Sequence, residues 1–251
     1  MNSSIIKYVF LLTGVSIVLG YIAYAVIFFS VDENDIKCKN ITINIKGKVP
    51  LVQEQEINDL LLDYDLHPIG VSINRLRTDK IERHLEKNNI VSKVVCYHSA
   101  TGDVFLNIQL RNPKFLVMGN ESYYVDDEKE MFEVPLHAVA YVPVVTGRVT
   151  KSMAKGSVFD FVDYIGKNAF WNAQIAQIHV RDDLMVELVP RVGDAIIFLG
   201  KLDQYEAKLD RVYKLYSKGF NQMGWNRYKR LDLQFDNQIV AVKNDIYLKD
   251  F

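Results

Sequence analysis

The 251-residue sequence has few cysteines and prolines and no excess of charge of either sign. Its two cysteines, Cys38 and Cys96, are too few and too far apart to build a zinc cage or a disulfide scaffold. Thirty basic and 31 acidic side chains give a net charge of −1, so no bulk attraction to nucleic acid is expected. These shortages argue against a disulfide-stapled small domain and against a basic nucleic-acid binder.

Motifs for cofactor and metal binding are also missing from the sequence. None of the 13 glycines lies in a dinucleotide-binding or P-loop arrangement. The five histidines include no H-E-x-x-H pair and no close grouping with cysteine, and surface or turn positions are expected for them. No cofactor, metal or small-molecule substrate is therefore predicted.

Two short patterns could suggest catalysis, but each has a simpler interpretation. Residues 152–155 match the S-x-x-K pattern of penicillin-binding proteins, yet so do residues 4–7, and neither S-D-N nor K-T-G follows. A flexible connection before a helix is the simpler interpretation of residues 152–155. The neighbouring carboxylates Asp126 and Asp127 could form a glycosidase pair, but a solvated hairpin tip is favoured because adjacent turn residues both face water. The sequence thus predicts no catalytic site and no enzyme activity.

What the sequence does contain is one long uncharged hydrophobic run. No charged residue occurs from Tyr8 to Phe29, and a helix of that length spans about 33 Å, enough for the hydrocarbon core of a bilayer. Residues 8–29 are therefore predicted as a transmembrane helix that follows a cytoplasmic tail of residues 1–7. Lys7 before the run and acidic residues after it favour a cytoplasmic amino terminus, with the bulk of the chain outside. The competing interpretation is a cleaved signal peptide, because residues 23–25 read Ala-Tyr-Ala, a small-residue cleavage pattern.

Residues 41–112 are predicted to form a first compact unit after a linker of residues 30–40. Ile41, Ile43 and Ile45 alternate with polar residues, which is the period of a half-buried strand. The predicted elements are a strand at 41–46, helices at 54–63 and 77–88 with Thr78 as the cap of the second, and strands at 91–97 and 104–110. The unit thus has the order strand, helix, helix, strand, strand.

Residues 113–251 are predicted to form a mixed β domain with a packed helix. Alternating hydrophobic residues indicate a hairpin, a short extended strand, a three-stranded meander and two final strands. A helix from about Leu202 to Phe220 presents apolar residues to the sheet, and Lys208 is expected on its exposed side. The predicted strands are 123–125, 131–134, 143–147, 175–180, 184–189, 195–199, 230–235 and 238–242, with a short helix at 158–167. The whole chain is accordingly assigned to the α+β class, with a transmembrane helix at its amino terminus.

The two cysteines present a choice that the sequence leaves open. In the predicted topology Cys38 and Cys96 lie outside the cytoplasm, where oxidation is possible. A disulfide between them is one alternative. Two partly buried, small apolar side chains are the other.

Several stretches, in their order and spacing, resemble the FtsQ/DivIB family of bitopic bacterial cell-division proteins. Residues 41–47, ITINIKG, are similar to an opening V-x-I-x-G strand, and residues 142–147, VPVVTG, to an L-P-x-x-x-G stretch. Residues 124–132, YVDDEKEMF, are similar to L-I-D-x-x-G-x-V-F, and residues 231–235, LDLQF, to a late I-D-L-R-F strand. Residues 111–113 read Arg-Asn-Pro and lack the glutamate of the family's E-R-x-P. The resemblance covers nearly the full chain and implies a POTRA domain followed by a β domain.

The resemblance implies a non-enzymatic scaffold of the cell-division machinery, held in the inner membrane with its bulk in the periplasm and enriched at the division septum. Such a scaffold links early and late division proteins and regulates septal peptidoglycan synthesis through FtsB-like and FtsL-like partners. The POTRA domain would bind other division proteins, and the last strand would pair with a segment of the FtsB-like partner. An edge strand can accept another chain because its N–H and C=O groups are unpaired. The residues expected to contact that partner are Phe235, Gln238, Val240, Val242 and Lys243.

Two other functions and one structural alternative stay open. POTRA domains also occur in receptors or chaperones for outer-membrane protein assembly or secretion, which usually carry several POTRA units or a β-barrel. A membrane-tethered peptidoglycan hydrolase or transferase would need convergent carboxylates or a serine–lysine site in the outer domain. At the last strand, Val240 and Val242 could face the protein core instead of a partner.

Overall fold

The computed structural model describes residues 3–29, 36–135, 138–219 and 226–244. The helices are α1 Ser3–Phe29, α2 Glu54–Asp63, α3 Thr78–Leu85, α4 Lys151–Lys155, α5 Ser157–Lys167, α6 Ala169–Gln174 and α7 Tyr205–Lys214, with a 3-10 turn at Ile73–Arg75 and a π-helical turn at Leu215–Gly219. The strands are β1 Asn40–Lys46, β2 Val91–His98, β3 Asp103–Leu110, β4 Pro113–Met118, β5 Tyr123–Asp126, β6 Met131–Glu133, β7 Val144–Gly147, β8 Ile175–Val180, β9 Val186–Pro190, β10 Ile196–Gly200, β11 Tyr228–Asp232 and β12 Val240–Lys243. The predicted α+β class is confirmed.

The hydrophobic run near the amino terminus forms one helix, α1, of 27 residues. The side chains described in this helix run from Leu11 to Val26, and most of them are exposed. Across the described residues, no helix is both long and apolar enough to cross a membrane. Residues 8–29 are therefore helical as predicted, and the helix extends into residues 3–7, which were assigned to a tail.

The first compact unit is a three-stranded sheet in the order β1-β3-β2, in which β1 runs parallel and β2 antiparallel to β3. Alternate side chains of β3 pack with those of α2 and α3 in one core, which includes Ile57, Leu61, Ile81, Leu85, Val104, Leu106, Ile108 and Leu110. The predicted strand-helix-helix-strand-strand order is present in the structure. The predicted Thr78 cap is wrong, because Arg77 is the last residue with non-helical backbone angles and Thr78 is already inside the helix.

The second unit is a nine-stranded sheet in the order β12-β11-β10-β9-β8-β7-β4-β5-β6. The predicted meander is present as the antiparallel strands β8, β9 and β10. Strand β4 was missing from the prediction, because residues 115–117 are all apolar and show no alternation. Phe115 and Val117 face one core and Leu116 the other, so both faces of β4 are buried.

Helices α5, α6 and α7 pack against one face of this large sheet. Their buried side chains Phe161, Trp171 and Leu209 share a core with alternate strand residues, which include Ile178, Val180, Val186, Leu188, Ile197, Leu199 and Leu231. The predicted start of the last helix at Leu202 is wrong. Gln204 has a φ of 47°, in the left-handed region, so helix α7 begins only at Tyr205.

The two units share a hydrophobic core where they meet. The second face of β4 and β5 carries Leu116 and Tyr124, which belong to the same buried cluster as the core of the small sheet. The tyrosine hydroxyl accepts a hydrogen bond from the backbone N–H of Ala140 at 3.0 Å, which holds the segment after β6 over this face. The small unit therefore packs on the large sheet at the end opposite to β12.

Candidate protein-binding edge

Strand β12 is the last described strand and forms one edge of the nine-stranded sheet. It pairs antiparallel with β11, with Val240 opposite Asp232, Ala241 opposite Leu231 and Val242 opposite Arg230. No other strand in the described ranges pairs with its far side. One row of its backbone N–H and C=O groups is therefore open to another strand.

The strand register decides which way the side chains of β12 point. Leu231, opposite Ala241, is fully buried beneath the helices. Val240 and Val242 flank Ala241 in an alternating strand, so they lie on the other face, and each is 40% exposed. The two valines thus face solvent on the open face of the sheet and not the core.

The open face beside the two valines contains an aromatic ring covered by two arginines. Phe198 of β10 is only 4% exposed, and the guanidinium carbons of Arg230 and Arg181 lie 4.0 and 5.5 Å from its ring centroid. Glu187 Oε1 lies 3.3 Å from Arg181 Nη1 and 3.7 Å from Arg230 Nη1. Charged groups, already paired with one another, therefore form the surface next to the edge.

The other predicted contact residues lie at the turn before β12 and at its end. Phe235, Gln238 and Lys243 are all exposed. Asn237 has a φ of 58°, which a turn asparagine tolerates. Arg211 of α7 donates a hydrogen bond from Nη2 to the carbonyl oxygen of Phe235 at 3.4 Å, which ties the helix to this turn. The structure brings the five predicted residues together on one strand and its turn, and their contact with a partner remains a prediction.

Helix α7 differs from the prediction at Lys208. That residue is 8% exposed and does not lie on the solvent side. Its ammonium donates to Asp203 Oδ1 at 2.7 Å and to the carbonyl oxygen of Lys201 at 3.0 Å, because the side chain reaches back over the loop before the helix. The hydrogen bond from Lys208 lowers the pKa of the Asp203 carboxyl below its usual value.

The S-x-x-K pattern at residues 152–155 lies in helix α4, so the predicted flexible connection is wrong. Thr150 caps this helix, because its Oγ1 accepts a hydrogen bond from the backbone N–H of Met153 at 3.2 Å. Lys155 Nζ lies 3.4 Å from Glu130 Oε2 and is engaged in that ion pair. Lys155 therefore forms a surface ion pair in this structure.

The two neighbouring carboxylates Asp126 and Asp127 have different surroundings. Asp126 is 2% exposed, so the predicted solvated tip is wrong for this residue. Its carboxylate accepts from Arg111 Nη1 at 2.8 Å and, through Oδ1, from the backbone N–H groups of Glu128 at 2.9 Å and Glu130 at 2.7 Å. The side chain folds back and satisfies the turn's own donors. It therefore has a structural partner for each of its oxygens.

The four histidines in the described part of the chain are not gathered into a ligand set. Within the described ranges, no three histidine, cysteine or acidic side chains form a group that could hold a metal ion. His179 lies within β8 and not in a turn, its side chain is half-buried, and its Nδ1 is 2.9 Å from Thr146 Oγ1. His84 lies on α3 with its ring centroid 3.9 Å from that of Tyr64, and His137 lies outside the described residues.

Sequence models of known families match the two units of the fold. A POTRA-like domain matches residues 36–109, which contain the three-stranded sheet and its two helices. A domain described as FtsQ/DivIB, C-terminal related, matches residues 112–242, more than half of the chain. The chain belongs to the FtsQ/DivIB family. The resemblance predicted from the sequence is thereby confirmed.

Membership of the FtsQ/DivIB family indicates a cell-division scaffold of a non-enzymatic family. Among curated proteins, none matches this chain.

The structure also gives a physical reason for the glycine that ends the VPVVTG stretch. Gly147 has a φ of 88°, and a Cβ added there would lie 1.9 Å from the carbonyl oxygen of Val180, so a larger residue would clash with β8.

The covered ring on the open face was missed by sequence reasoning. The sequence pattern placed Phe198 correctly in a strand, but the arginines that cover it come from positions 181 and 230, far apart in the chain. The sequence held only a weak indication of this contact. Arg181 follows the predicted strand at 175–180, and Arg230 begins the predicted strand at 230–235. Strand order was needed to bring them to one ring.

Proposed function

We propose that this FtsQ/DivIB-family chain links early and late division proteins, and so regulates septal peptidoglycan synthesis, by accepting a strand of an FtsB-like partner at β12. The observation that supports the proposal is the open edge of β12 with Val240 and Val242 exposed beside it. A strand added there would gain backbone hydrogen bonds and cover both valines. An FtsL-like protein would join the assembly through the FtsB-like partner.

The other edge of the large sheet is a poorer place for strand addition. Strand β6 has three residues, and its central residue, Phe132, is 2% exposed in the shared core. Its neighbours are the half-buried Met131 and the exposed Glu133. Strand β6 therefore offers less exposed apolar surface to a partner than β12 does.

The proposal includes an inner-membrane anchor formed by α1. The uncharged run from Tyr8 to Phe29 and the preceding Lys7 favour an anchor with a cytoplasmic amino terminus. The POTRA-like and β units would then lie in the periplasm, where division partners with large outer parts are accessible. Enrichment at the septum would follow from binding those partners, with the POTRA-like domain contributing to recruitment.

The first experiment places a photo-crosslinking amino acid at Val240 in the full chain in dividing cells. The matched control position is Leu184, an apolar residue that is 48% exposed and lies at the β8–β9 turn, three strands from β12. An adduct with an FtsB-like coiled-coil protein at position 240 and not at 184 is the expected result. Capture of outer-membrane assembly proteins at position 240 would contradict the division function and support the receptor alternative. Absence of any adduct at position 240 would refute β12 as the binding edge.

Lysine substitutions test the same edge by affinity. Val240→Lys with Val242→Lys removes two exposed apolar side chains worth about 1 kcal/mol each, so binding of the FtsB-like partner to the full chain should weaken about thirtyfold. Val192→Lys is the control, because Val192 is 54% exposed but lies in the loop between β9 and β10. Equal affinity of the double variant and the control would contradict strand addition at β12.

A further inference from the structure

The small sheet has two edge strands, β1 and β2, and two outward N–H groups of β2 are already occupied. Strand β2 is terminal in the order β1-β3-β2. The backbone N–H of Val94 donates to Glu86 Oε1 at 3.1 Å, and that of Cys96 donates to Glu82 Oε1 at 2.7 Å. Both carboxylates come from α3 and its C-terminal end, so a helix and not a strand satisfies this edge.

The geometry of helix and strand explains how two carboxylates reach two amides. Glu82 and Glu86 are four residues apart, which places them on one helix face about 6 Å apart along the axis. Val94 and Cys96 are two residues apart in a strand, so their N–H groups point to the same side about 6.6 Å apart. The two spacings match, and one glutamate therefore faces each outward amide.

Without these carboxylates the β2 edge would share the features that make an edge prone to strand addition. Its outer amides would be free, and Val95 and Tyr97 are already 41% and 49% exposed on the open face of the small sheet. The Tyr97 ring stacks on Phe105 of β3 at a centroid distance of 5.2 Å, which extends the apolar surface inwards. Edge strands with these properties pair with other chains unless charge or cover prevents it.

We propose that Glu82 and Glu86 close the β2 edge against strand addition, in particular against pairing with β2 of a second copy of this chain. An incoming strand would need the N–H groups of Val94 and Cys96 for its own carbonyl oxygens. The glutamate oxygens hold those donors, and their negative charge repels an approaching carbonyl. The closure does not depend on a partner at β12.

Amide hydrogen exchange of the full chain in detergent tests whether the carboxylates hold these donors. The Glu82→Ala, Glu86→Ala variant, kept dilute, should exchange the amides of Val94 and Cys96 at least tenfold faster than the unaltered chain. The control Glu54→Ala, Asp59→Ala removes two exposed carboxylates from α2 of the same domain and should leave both amides unchanged. The single variant Glu86→Ala should affect Val94 alone, which keeps the test valid if the double variant fails to fold. Unchanged exchange at Val94 in either alanine variant would overturn the proposal.

Sedimentation of the same variants tests whether closure prevents self-pairing. The double alanine variant should form dimers at protein concentrations where the unaltered chain and the α2 control stay in their original state. A photo-crosslinker at Lys93, exposed on β2, should then join two copies. Glu82→Gln with Glu86→Gln retains an acceptor oxygen at each position and should show much less association. Faster exchange without added association would also overturn the proposal, because the edge would then be open and still unpaired.

Discussion

Burial determines the chemistry of the two cysteines at the scale of single residues. Both thiols are free, with Cys38 3% and Cys96 6% exposed. Burial, with the nearby Glu82 carboxylate, raises the pKa of the Cys96 thiol to about 12, and burial also raises the pKa of the Cys38 thiol. Of the two alternatives left open by the sequence, the structure contains the buried, unbridged side chains.

A thiol titration at pH 8 should therefore find both cysteines unreactive in the folded chain. A thiol with a pKa near 12 is about one part in ten thousand ionised at that pH, and the thiolate is the reactive form. Raising the pH towards 12 should speed the reaction of Cys96, because its raised pKa keeps the neutral thiol up to that range. After unfolding, two thiols per chain should react with a disulfide reagent such as DTNB.

An exposed engineered thiol provides the control for that titration. Ala100→Cys places a third cysteine in the exposed turn between β2 and β3, and one thiol of that variant should react at once in the folded state. Prompt reaction of a native cysteine would contradict the burial. Absence of any reactive native thiol in the unfolded chain would instead reveal a disulfide between Cys38 and Cys96.

Local backbone geometry sets the ends of helices at the scale of elements. Thr150 caps the start of helix α4, and α7 begins late because Gln204 is in the left-handed region. Hydrophobic spacing predicted the buried faces of α2 and α3 but carries little information on helix ends. The boundary errors at residues 152–155 and 202–204 follow from that difference.

The proposed role of α1 as an anchor makes a prediction at the same scale. The full chain should remain in the membrane pellet after alkaline carbonate extraction. Ile17→Arg with Ile22→Arg, at exposed positions within α1, should release it, because each arginine at the centre of a span costs about 2.5 to 3.5 kcal/mol on insertion scales.

Two exposed apolar residues outside α1 serve as the control for the arginine variant. Leu62→Arg with Ile69→Arg changes residues that are 60% and 50% exposed in the small unit, and this variant should stay in the pellet. Release of the unaltered chain by carbonate would refute the anchor. The division function at β12 would then have to be tested without a membrane tether.

An ion pair joins the two units at the scale of the whole molecule. Arg111 ends the small unit, where its Nε donates to the carbonyl oxygen of Asn89 at 3.0 Å. Its Nη1 also donates to Asp126 of β5 in the large sheet, whose side chain is 4% exposed. The shared hydrophobic core around Leu116 and Tyr124 lies beside this connection. The orientation of the POTRA-like domain relative to the large sheet is therefore held by packing and by charge.

Asp126→Asn should destabilise the folded chain by about 2 kcal/mol, the size of a hydrogen bond between charged groups. The substitution leaves Arg111, whose side chain is 20% exposed, without its charged partner, while the amide oxygen can still accept from the turn. Asp127→Asn is a closely matched control, because Asp127 is 43% exposed in its ion pair with Lys48 and such pairs contribute less than about 1 kcal/mol. Urea unfolding of both variants measures the difference. Equal midpoints would show that the Arg111–Asp126 pair does not hold the units together.

Much of the fold and part of the candidate site could be predicted from sequence. The order of helices and strands along the small unit, the meander and the position of the last strand follow from hydrophobic periodicity, which is a local property. Strand β4 could not be predicted, because Phe115, Leu116 and Val117 are all buried and alternation disappears when both faces are covered. The buried position of Asp126 could not be predicted either. Its partner Arg111 lies 15 residues earlier in the chain, and the pairing of β4 with β5 brings the two side chains together.

The sequence by itself determined most of the segments that become helices and strands, and the family that the chain resembles, because periodicity and motif order are properties of neighbouring residues. Only the tertiary structure decided that β12 is an open edge, that Val240 and Val242 face solvent, and that Glu82 and Glu86 occupy the edge of β2. Those facts depend on which strands lie side by side and in what register. A shift of one residue in the pairing of β11 and β12 would have turned both valines to the face that carries Leu231.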